Sequence, residues 1–146
     1  MADCTFKNCL DAIVTIIDGL SLDGMDEAKV RRMPHDGEHY WPGITVHPVT
    51  EKFDTGTNKT EHVGYGCQIT MVLNCDNDDD FQINRVLSWR EAIRKKFVED
   101  PTLGSVTGVY RMTVEHGHVF QWDDLVDKNY DVSSLIIRVW VEETRT

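Results

Sequence analysis

Residues 44–74 read ITVHPVTEKFDTGTNKTEHVGYGCQITMVLN, and this stretch decides the fold of the chain. Two strand-like segments, 44–53 and 63–74, flank the polar segment 54–62, which is rich in turn-forming residues. The polar segment is longer than a tight two-residue turn requires. We therefore predict a long, protruding hairpin, and strands that extend beyond a core often contact another subunit.

The second strand of this hairpin shows a period-two pattern. Its apolar face carries Tyr65, Cys67, Ile69, Met71 and Leu73, and its other face carries Gly64, Gly66, Gln68, Thr70 and Asn74. On the first strand, Pro48 has no amide hydrogen to give to a sheet ladder, so we predict that it lies at an edge or a bulge. The two glycines predict a bend or a close backbone contact.

Two amphipathic helices are predicted, one before the hairpin and one after it. The first covers residues 5–20, and the second covers about residues 81–98, between the acidic run 76–80 and Pro101. The first helix has an apolar stripe of Phe6, Cys9, Leu10, Ile13, Ile16, Ile17 and Leu20. The second has a stripe of Ile83, Val86, Leu87, Ile93 and Phe97. Each helix therefore needs an apolar surface to lie on.

Three further strands are predicted, at residues 29–33, 104–116 and 132–142. In the second of them, the residues predicted to face one way are Val106, Tyr110, Met112 and Val114. In the last strand, one face carries Leu135, Ile137, Val139 and Val141, and the other carries Ile136, Arg138, Trp140 and Glu142. Such a mixed face is typical of a sheet surface that a partner covers.

The element order is therefore α-β-β-β-α-β-β. Two helices packed on one face of a mostly antiparallel sheet are the economical arrangement for this order, which makes the fold α+β. The chain has 146 residues and contains no repeat, low-complexity tract or linker. We expect a single domain over residues 1–146.

Composition limits the class of function. The formal net charge is −10, with 25 acidic and 15 basic residues. A general nucleic-acid binder needs a basic surface, whereas an acidic one repels phosphate and lets a duplex pass without sticking. No apolar run approaches the roughly 20 residues of a membrane span, and the N-terminus lacks a signal-peptide pattern, so we expect an intracellular protein when made. The cysteines Cys9 and Cys67 fall on apolar faces and are interpreted as small buried hydrophobes.

No catalytic, phosphate-binding or dinucleotide motif occurs, so we expect no enzyme activity and no cofactor. The acidic run 76–80 lacks the glycine and glutamate that a calcium loop requires, and helix capping explains it better. The alternative that stays open is a small metal-dependent enzyme. Its candidate residues would be His35, Asp36, His39, His116 and His118.

Two surfaces are candidates for contact with a subunit or partner. The hairpin can be a mobile surface loop, or an arm that contacts a neighbour through its edge, with Phe53 as the apolar anchor. The candidate residues are Phe53, Asp54, Thr55, Asn58, Lys59 and His62 on the hairpin, and Arg138 and Trp140 on the last strand. Deleting residues 55–60 is expected to leave the fold intact and to abolish the contact with a subunit or partner.

These elements together resemble the small neck proteins of tailed bacteriophages, above all the tail-terminator (tail-completion) group. The resemblance spans most of the chain. It rests on the helix 6–20, the segment PGITV at 42–46 that leads into the hairpin, the strand GYGCQIT at 64–70, the helix segment VLSWREAIR at 86–94 and the strand DVSSLIIRVW at 131–140.

The resemblance implies a structural virion protein that forms a ring, commonly a hexamer. Such a ring caps the finished tail tube and joins the tail to the connector below the capsid, while DNA crosses its lumen. The partners implied are other copies of the chain, the tail tube protein and a head-tail connector or adaptor protein, without a membrane. The location implied is the virion tail or neck, reached after assembly in the host cytoplasm.

A closed ring is a heterologous contact, so each subunit needs two different surfaces. The hairpin and the Arg138/Trp140 face are the candidates for them. Two alternatives remain open besides the enzyme: another neck or head-tail adaptor subunit, and a small binding module of a bacterial host.

Overall fold

A computed structural model describes residues 4–20, 22, 30–31, 43–55, 59–74, 79–100, 102–103, 106–117, 119 and 130–144. The elements occur in the predicted α-β-β-β-α-β-β order and confirm the α+β class. They are α1 (Thr5–Asp18), β1 (Val30–Arg31), β2 (Gly43–Thr55), β3 (Thr60–Asn74), α2 (Asp79–Glu99), β4 (Val109–His116) and β5 (Tyr130–Thr144). Among these residues, neither helix combines the length and the apolar character that crossing a bilayer demands.

The five strands form one sheet in the order β1-β2-β3-β5-β4. All neighbouring pairs are antiparallel except β1 and β2, which are parallel and pair only through Ile44 and Thr45 on the β2 side. The central pair is β3 and β5, which stay in register along their whole length from Thr60 opposite Thr144 to Asn74 opposite Tyr130. The long hairpin β2–β3 is thus supported by β5 on one side.

Both helices pack on the same face of the sheet, as predicted. The α1 stripe contributes Cys9, Leu10, Ile13 and Ile17, and the α2 stripe contributes Val86, Trp89, Ile93 and Phe97. Alternate strand residues complete this core: Ile44 and Val46 on β2, Val63 to Met71 on β3, and Leu135 to Val141 on β5. Burial of each large apolar side chain contributes about 1.5–3 kcal/mol. We call this surface the covered face, and the opposite surface the second face.

The prediction of the α2 stripe is wrong for one residue. Leu87 is 48% exposed, whereas Trp89 is completely buried. The buried positions 86, 89, 93 and 97 follow each other at three- and four-residue spacing, and Leu87 lies about 100° away from Val86 around the helix. The side chain of Ile83 lies outside the described residues.

Two bulges interrupt the sheet near the end of the hairpin. The first separates Pro48 from Thr50 on β2, which confirms the edge-or-bulge prediction for Pro48. The second separates Val109 from Arg111 on β4. It overturns the prediction that Tyr110 faces the same way as Met112 and Val114, because the extra residue shifts the alternation: Val109 is buried and Tyr110 is 44% exposed.

The hairpin itself is more ordered than a polar loop over residues 54–62 would be. Asp54 pairs with His62 and Thr55 pairs with Glu61, so the strands continue into the segment that sequence assigned to the loop. The ends of β3 and β5 also pair, from Thr60 opposite Thr144. This support from β5 explains why polar residues adopt strand structure here, and it leaves residues 56–59 as the connection.

Candidate subunit interface

The hairpin tip is defined here as residues 50–55 at the end of β2, residues 59–65 at the start of β3 and just before it, and residues 139–144 at the end of β5. Phe53 is opposite Val63, whose side chain is buried in the core, so the Phe53 ring lies on the same side of the sheet as the helices. The Phe53 side chain is nevertheless 67% exposed. The pairing of β1 with β2 ends at Thr45, so β2 is the outer strand beside this ring. The tip therefore presents one large apolar side chain to solvent.

An open groove of about 450 Å³ runs along the bulged part of β2 beside this ring. It is lined by Phe6, Pro48, Val49, Thr50, Glu51 and Phe53. Phe6 is held in place by Tyr65, with 4.6 Å between the ring centroids. The bulge shapes this groove by displacing Val49, which is 38% exposed. The apolar lining residues Phe6, Val49 and Phe53 are suited to an apolar side chain from another protein.

The charges at the tip are mainly acidic. Five carboxylates, on Glu51, Asp54, Glu61, Glu142 and Glu143, occur with two lysines, Lys52 and Lys59. His62 lies 3.9 Å from a Glu142 carboxylate oxygen, and its ring is 5.1 Å from the Tyr110 ring. Glu51, Glu61 and Glu143 share the covered-face side with Phe53, whereas Asp54 and Glu142 lie on the second face.

Tyr65 anchors the tip to the core. Its hydroxyl donates a hydrogen bond to the Glu143 carboxylate at 2.5 Å. Burial of the phenol, and then this hydrogen bond, raise the pKa of Tyr65. The hydroxyl consequently remains a protonated donor at neutral pH and ties β3 to β5.

On the second face, Arg138 is almost completely buried, with 3% exposure. Its Nε and Nη2 donate to the two carboxylate oxygens of Glu115 at 2.6 and 3.0 Å, and its Nη1 donates to the Gly64 carbonyl oxygen at 3.3 Å. The hydrogen bond from Arg138 lowers the pKa of Glu115. Lys52 Nζ lies 3.9 Å from the same carboxylate. The Arg138 charge is therefore satisfied within the subunit.

Gly64 and Gly66 make room for this arrangement, as the sequence predicted. A β-carbon at Gly64 would lie 3.0 Å from Arg138 Cδ and 3.1 Å from the Trp140 ring, and one at Gly66 would lie 2.4 Å from Thr50 Oγ1. Trp140 is half-buried, and the Arg111 guanidinium lies 5.4 Å from its ring centroid. Its indole N–H finds no acceptor in the part of the chain that the structure describes.

The register brings the two predicted candidate groups together. Trp140 is opposite Gly64 and Glu142 is opposite His62, so the second face at the tip carries Lys52, Asp54, His62 and Trp140, with Arg138 two residues before Trp140 on β5. Phe53 lies on the covered face instead. Thr55 is paired in the backbone, while its side chain and the whole of Asn58 lie outside the described residues. The contact roles of these residues stay predictions. Sequence reasoning missed Glu115, since its partnership with Arg138 depends on the register between β4 and β5.

The metal-site alternative falls mostly outside the described residues. His35, Asp36, His39 and His118 are among the residues without description, and only the backbone of His116 is described, at the end of β4. Within the described ranges, no three potential metal ligands come together.

Comparison with known proteins gives a relationship at the level of the fold. No family model matches the chain, and no curated protein matches it. Among solved structures, it is similar to the sheath/tube terminator of an extracellular contractile injection system, PVC, determined by cryo-electron microscopy in the extended state.

This similarity covers all of the present chain at a TM-score of 0.58 and 12% sequence identity. The chain spans 57% of the length of that terminator chain. The predicted tail-terminator-like architecture is thereby confirmed as a fold, with a contractile injection system rather than a phage neck as the source of the similar structure.

Proposed function

We propose that this chain is a structural tail-terminator subunit, which assembles with copies of itself at the end of a tail tube and stops its growth. The observation that carries the proposal is the similarity of the whole chain to a sheath/tube terminator. The partners we propose are other copies of this chain, forming a ring of about six, the tube protein and a sheath protein. In a tailed phage, a head-tail connector would be the partner on the opposite side.

The tip geometry supports an assembly role. An exposed phenylalanine beside a groove, with carboxylates on the same face of the sheet, is a surface that can be buried against another protein. In contrast, the charged pair Arg138–Glu115 is already satisfied within the subunit. The mechanism we propose is recognition by shape and charge, without a chemical step.

The net charge of −10 supports a lumen through which DNA passes without being held, in a particle that carries DNA. The electrostatic repulsion between this charge and DNA would weaken with salt because surface charges are screened over about 8 Å at physiological ionic strength. Virion localisation after assembly in the host cytoplasm follows from the same proposal.

The test is a capping assay with the purified chain and its cognate tube protein. Tube lengths are measured by negative-stain electron microscopy after polymerisation with and without the chain, and the mass of the free chain is measured by light scattering over a concentration series. We expect shorter tubes with density at one end. Tubes of unchanged length and bare ends at a molar excess of the chain would contradict the proposal.

A variant of the hairpin makes this assay more specific. Because β2 runs to Thr55 and β3 starts at Thr60, removing residues 55–60 would cut paired strand. Replacing residues 56–59 with Gly-Gly shortens only the connection, leaving three residues between the paired Thr55 and Glu61, a length that hairpins commonly use. The shortened chain should fold with an unchanged melting temperature while capping fewer tubes.

A further inference from the structure

The exposed side of α2 is a second candidate contact surface, which sequence reasoning did not identify. Leu87 is 48% exposed and Val98 is 67% exposed. They are eleven residues apart, which places them on the same side of the helix and about 16 Å from each other. The opposite side of α2 is buried through Trp89 and Ile93, so this exposed apolar pair is not part of the core.

Basic residues accompany this pair. Helical spacing places Arg94 and Lys95 on the same side of α2 as Leu87 and Val98, together with one anion, Glu91, which pairs with Lys95 at 2.6 Å, whereas Lys96 lies on the other side of the helix. This is a local excess of positive charge in a chain whose net charge is −10. We call the surface from Leu87 to Val98 the basic helix face.

The hairpin tip has the complementary character. Glu51 and Glu61 share the covered-face side of the sheet with Phe53, since Glu51 is two residues away on β2 and Glu61 is two residues from Val63, the residue opposite Phe53. Glu51 is exposed and Glu61 is half-buried. Phe53 with its two neighbouring carboxylates is therefore complementary to Leu87 and Val98 with the neighbouring cations Arg94 and Lys95.

The two surfaces lie towards different edges of the sheet. The basic helix face belongs to α2, which contacts β4 and reaches β5 through hydrogen bonds from Arg90 to Ser133 Oγ and Ser134 O. The tip belongs to β2, which is separated from β4 by β3 and β5, or about 14 Å of sheet at the usual strand spacing. A contact between unlike surfaces on two copies is heterologous and closes into a ring when the rotation permits.

We infer that the hairpin tip of one copy docks on the basic helix face of the next copy, with Phe53 between Leu87 and Val98 and with Glu51 and Glu61 facing Arg94 and Lys95. This inference rests on the proposed ring function and supplies the contact that would build it. The occupant of both surfaces is a second copy of this chain.

Charge reversal tests the pairing. One variant reverses the tip (Glu51→Lys, Glu61→Lys) and the other reverses the helix (Arg94→Glu, Lys95→Glu). Each should raise the protein concentration for half-assembly at least about tenfold, because like charges would meet at every junction. Combining all four changes in one chain should restore assembly. An equimolar mixture of the two variants should also restore it, since every junction would again join opposite charges in an alternating ring.

Light scattering measures the mass of each sample, and thermal melting verifies its fold. Asp18→Lys is the matched control: Asp18 is exposed at the far end of α1, so reversing its charge should leave assembly unchanged. Reversed variants that assemble like the wild type would overturn this contact and leave the ring standing. Loss of assembly without restoration by the fourfold variant or the mixture would overturn the pairing of these two surfaces.

The wild type separates this inference from the proposed function. A wild-type chain that caps tubes but stays monomeric throughout the concentration series would overturn the self-contact alone. One that neither self-associates nor binds tube ends would overturn both.

Discussion

The covered face and the second face of the sheet are built from alternate residues of the same strands, yet they are held together differently. On the covered face, large apolar side chains from two helices and four strands exclude water, and Trp89 and Ile137 are completely buried. On the second face, one buried guanidinium is paired with a carboxylate across β4 and β5, in a space that Gly64 and Gly66 leave open.

The difference teaches how a sheet with helices on only one side can have a stable second surface. Apolar burial is non-directional and tolerates small shifts of the strands. The Arg138–Glu115 pair has a fixed two-pronged geometry and therefore specifies the register between β4 and β5. The covered face provides stability, and the second face aligns β4 with β5 next to the hairpin tip.

The largest expected effect comes from emptying the covered face. Trp89→Ala should lower the free energy of unfolding by about 3–5 kcal/mol because it leaves a large cavity. Urea denaturation measures the change. Leu87→Ala, two residues earlier on the exposed side, should change it by less than about 0.5 kcal/mol. Equal effects at the two positions would contradict the placement of α2.

The next effect tests the second face through the asymmetry of its ion pair. Glu115→Ala leaves the Arg138 side chain, which is 4% exposed, without its carboxylate partner. This substitution should lower the free energy of unfolding by about 2–3 kcal/mol. Arg138→Met leaves Glu115, which is 35% exposed, next to water and Lys52. This substitution should lower the free energy of unfolding by about 1 kcal/mol or less. Urea denaturation of both variants gives the order, and a larger cost for Arg138→Met would contradict the burial of the guanidinium.

The smallest effect is the pH dependence of the same pair. Arg138 holds the pKa of Glu115 below its ordinary value of 4.5. The contribution of this ion pair to the stability of the fold is therefore fully present above pH 4.5 and is lost as the pH falls through the lowered pKa of the folded state. Solvent around the carboxylate limits it to less than about 1 kcal/mol. The stability gap between wild type and Glu115→Gln should shrink from pH 7 to pH 3; a constant gap would contradict the ion pair.

Local pattern alone was sufficient for most of the fold. The three- and four-residue spacing of Cys9, Ile13 and Ile17 identified α1, and the alternation on β3 identified the covered face. The missing amide hydrogen of Pro48 predicted a bulge because that effect belongs to one residue. The first hairpin strand was predicted to end too early and the second to begin too late, since the support of Thr60 by Thr144 depends on a strand 84 positions later in the chain.

The candidate site was harder to predict because it depends on register. Nothing in the strand from 109 to 116 indicated a bulge that turns Tyr110 outward. The pairing of Glu115 with Arg138 follows from the same register, and it makes the guanidinium an internal group. The exposed pair Leu87 and Val98 was hidden by a helix pattern in which Leu87 was assigned to the core.

The two bulges have a further consequence for the edges of the sheet. An open strand edge is a template on which any other edge can add, and repeated addition leads to fibrous aggregates. The displaced residues at Val49 on β2 and Tyr110 on β4 break the regular backbone ladder on strands near the two sides of the sheet. Regular backbone-to-backbone joining of two copies along these strands is thereby made less favourable.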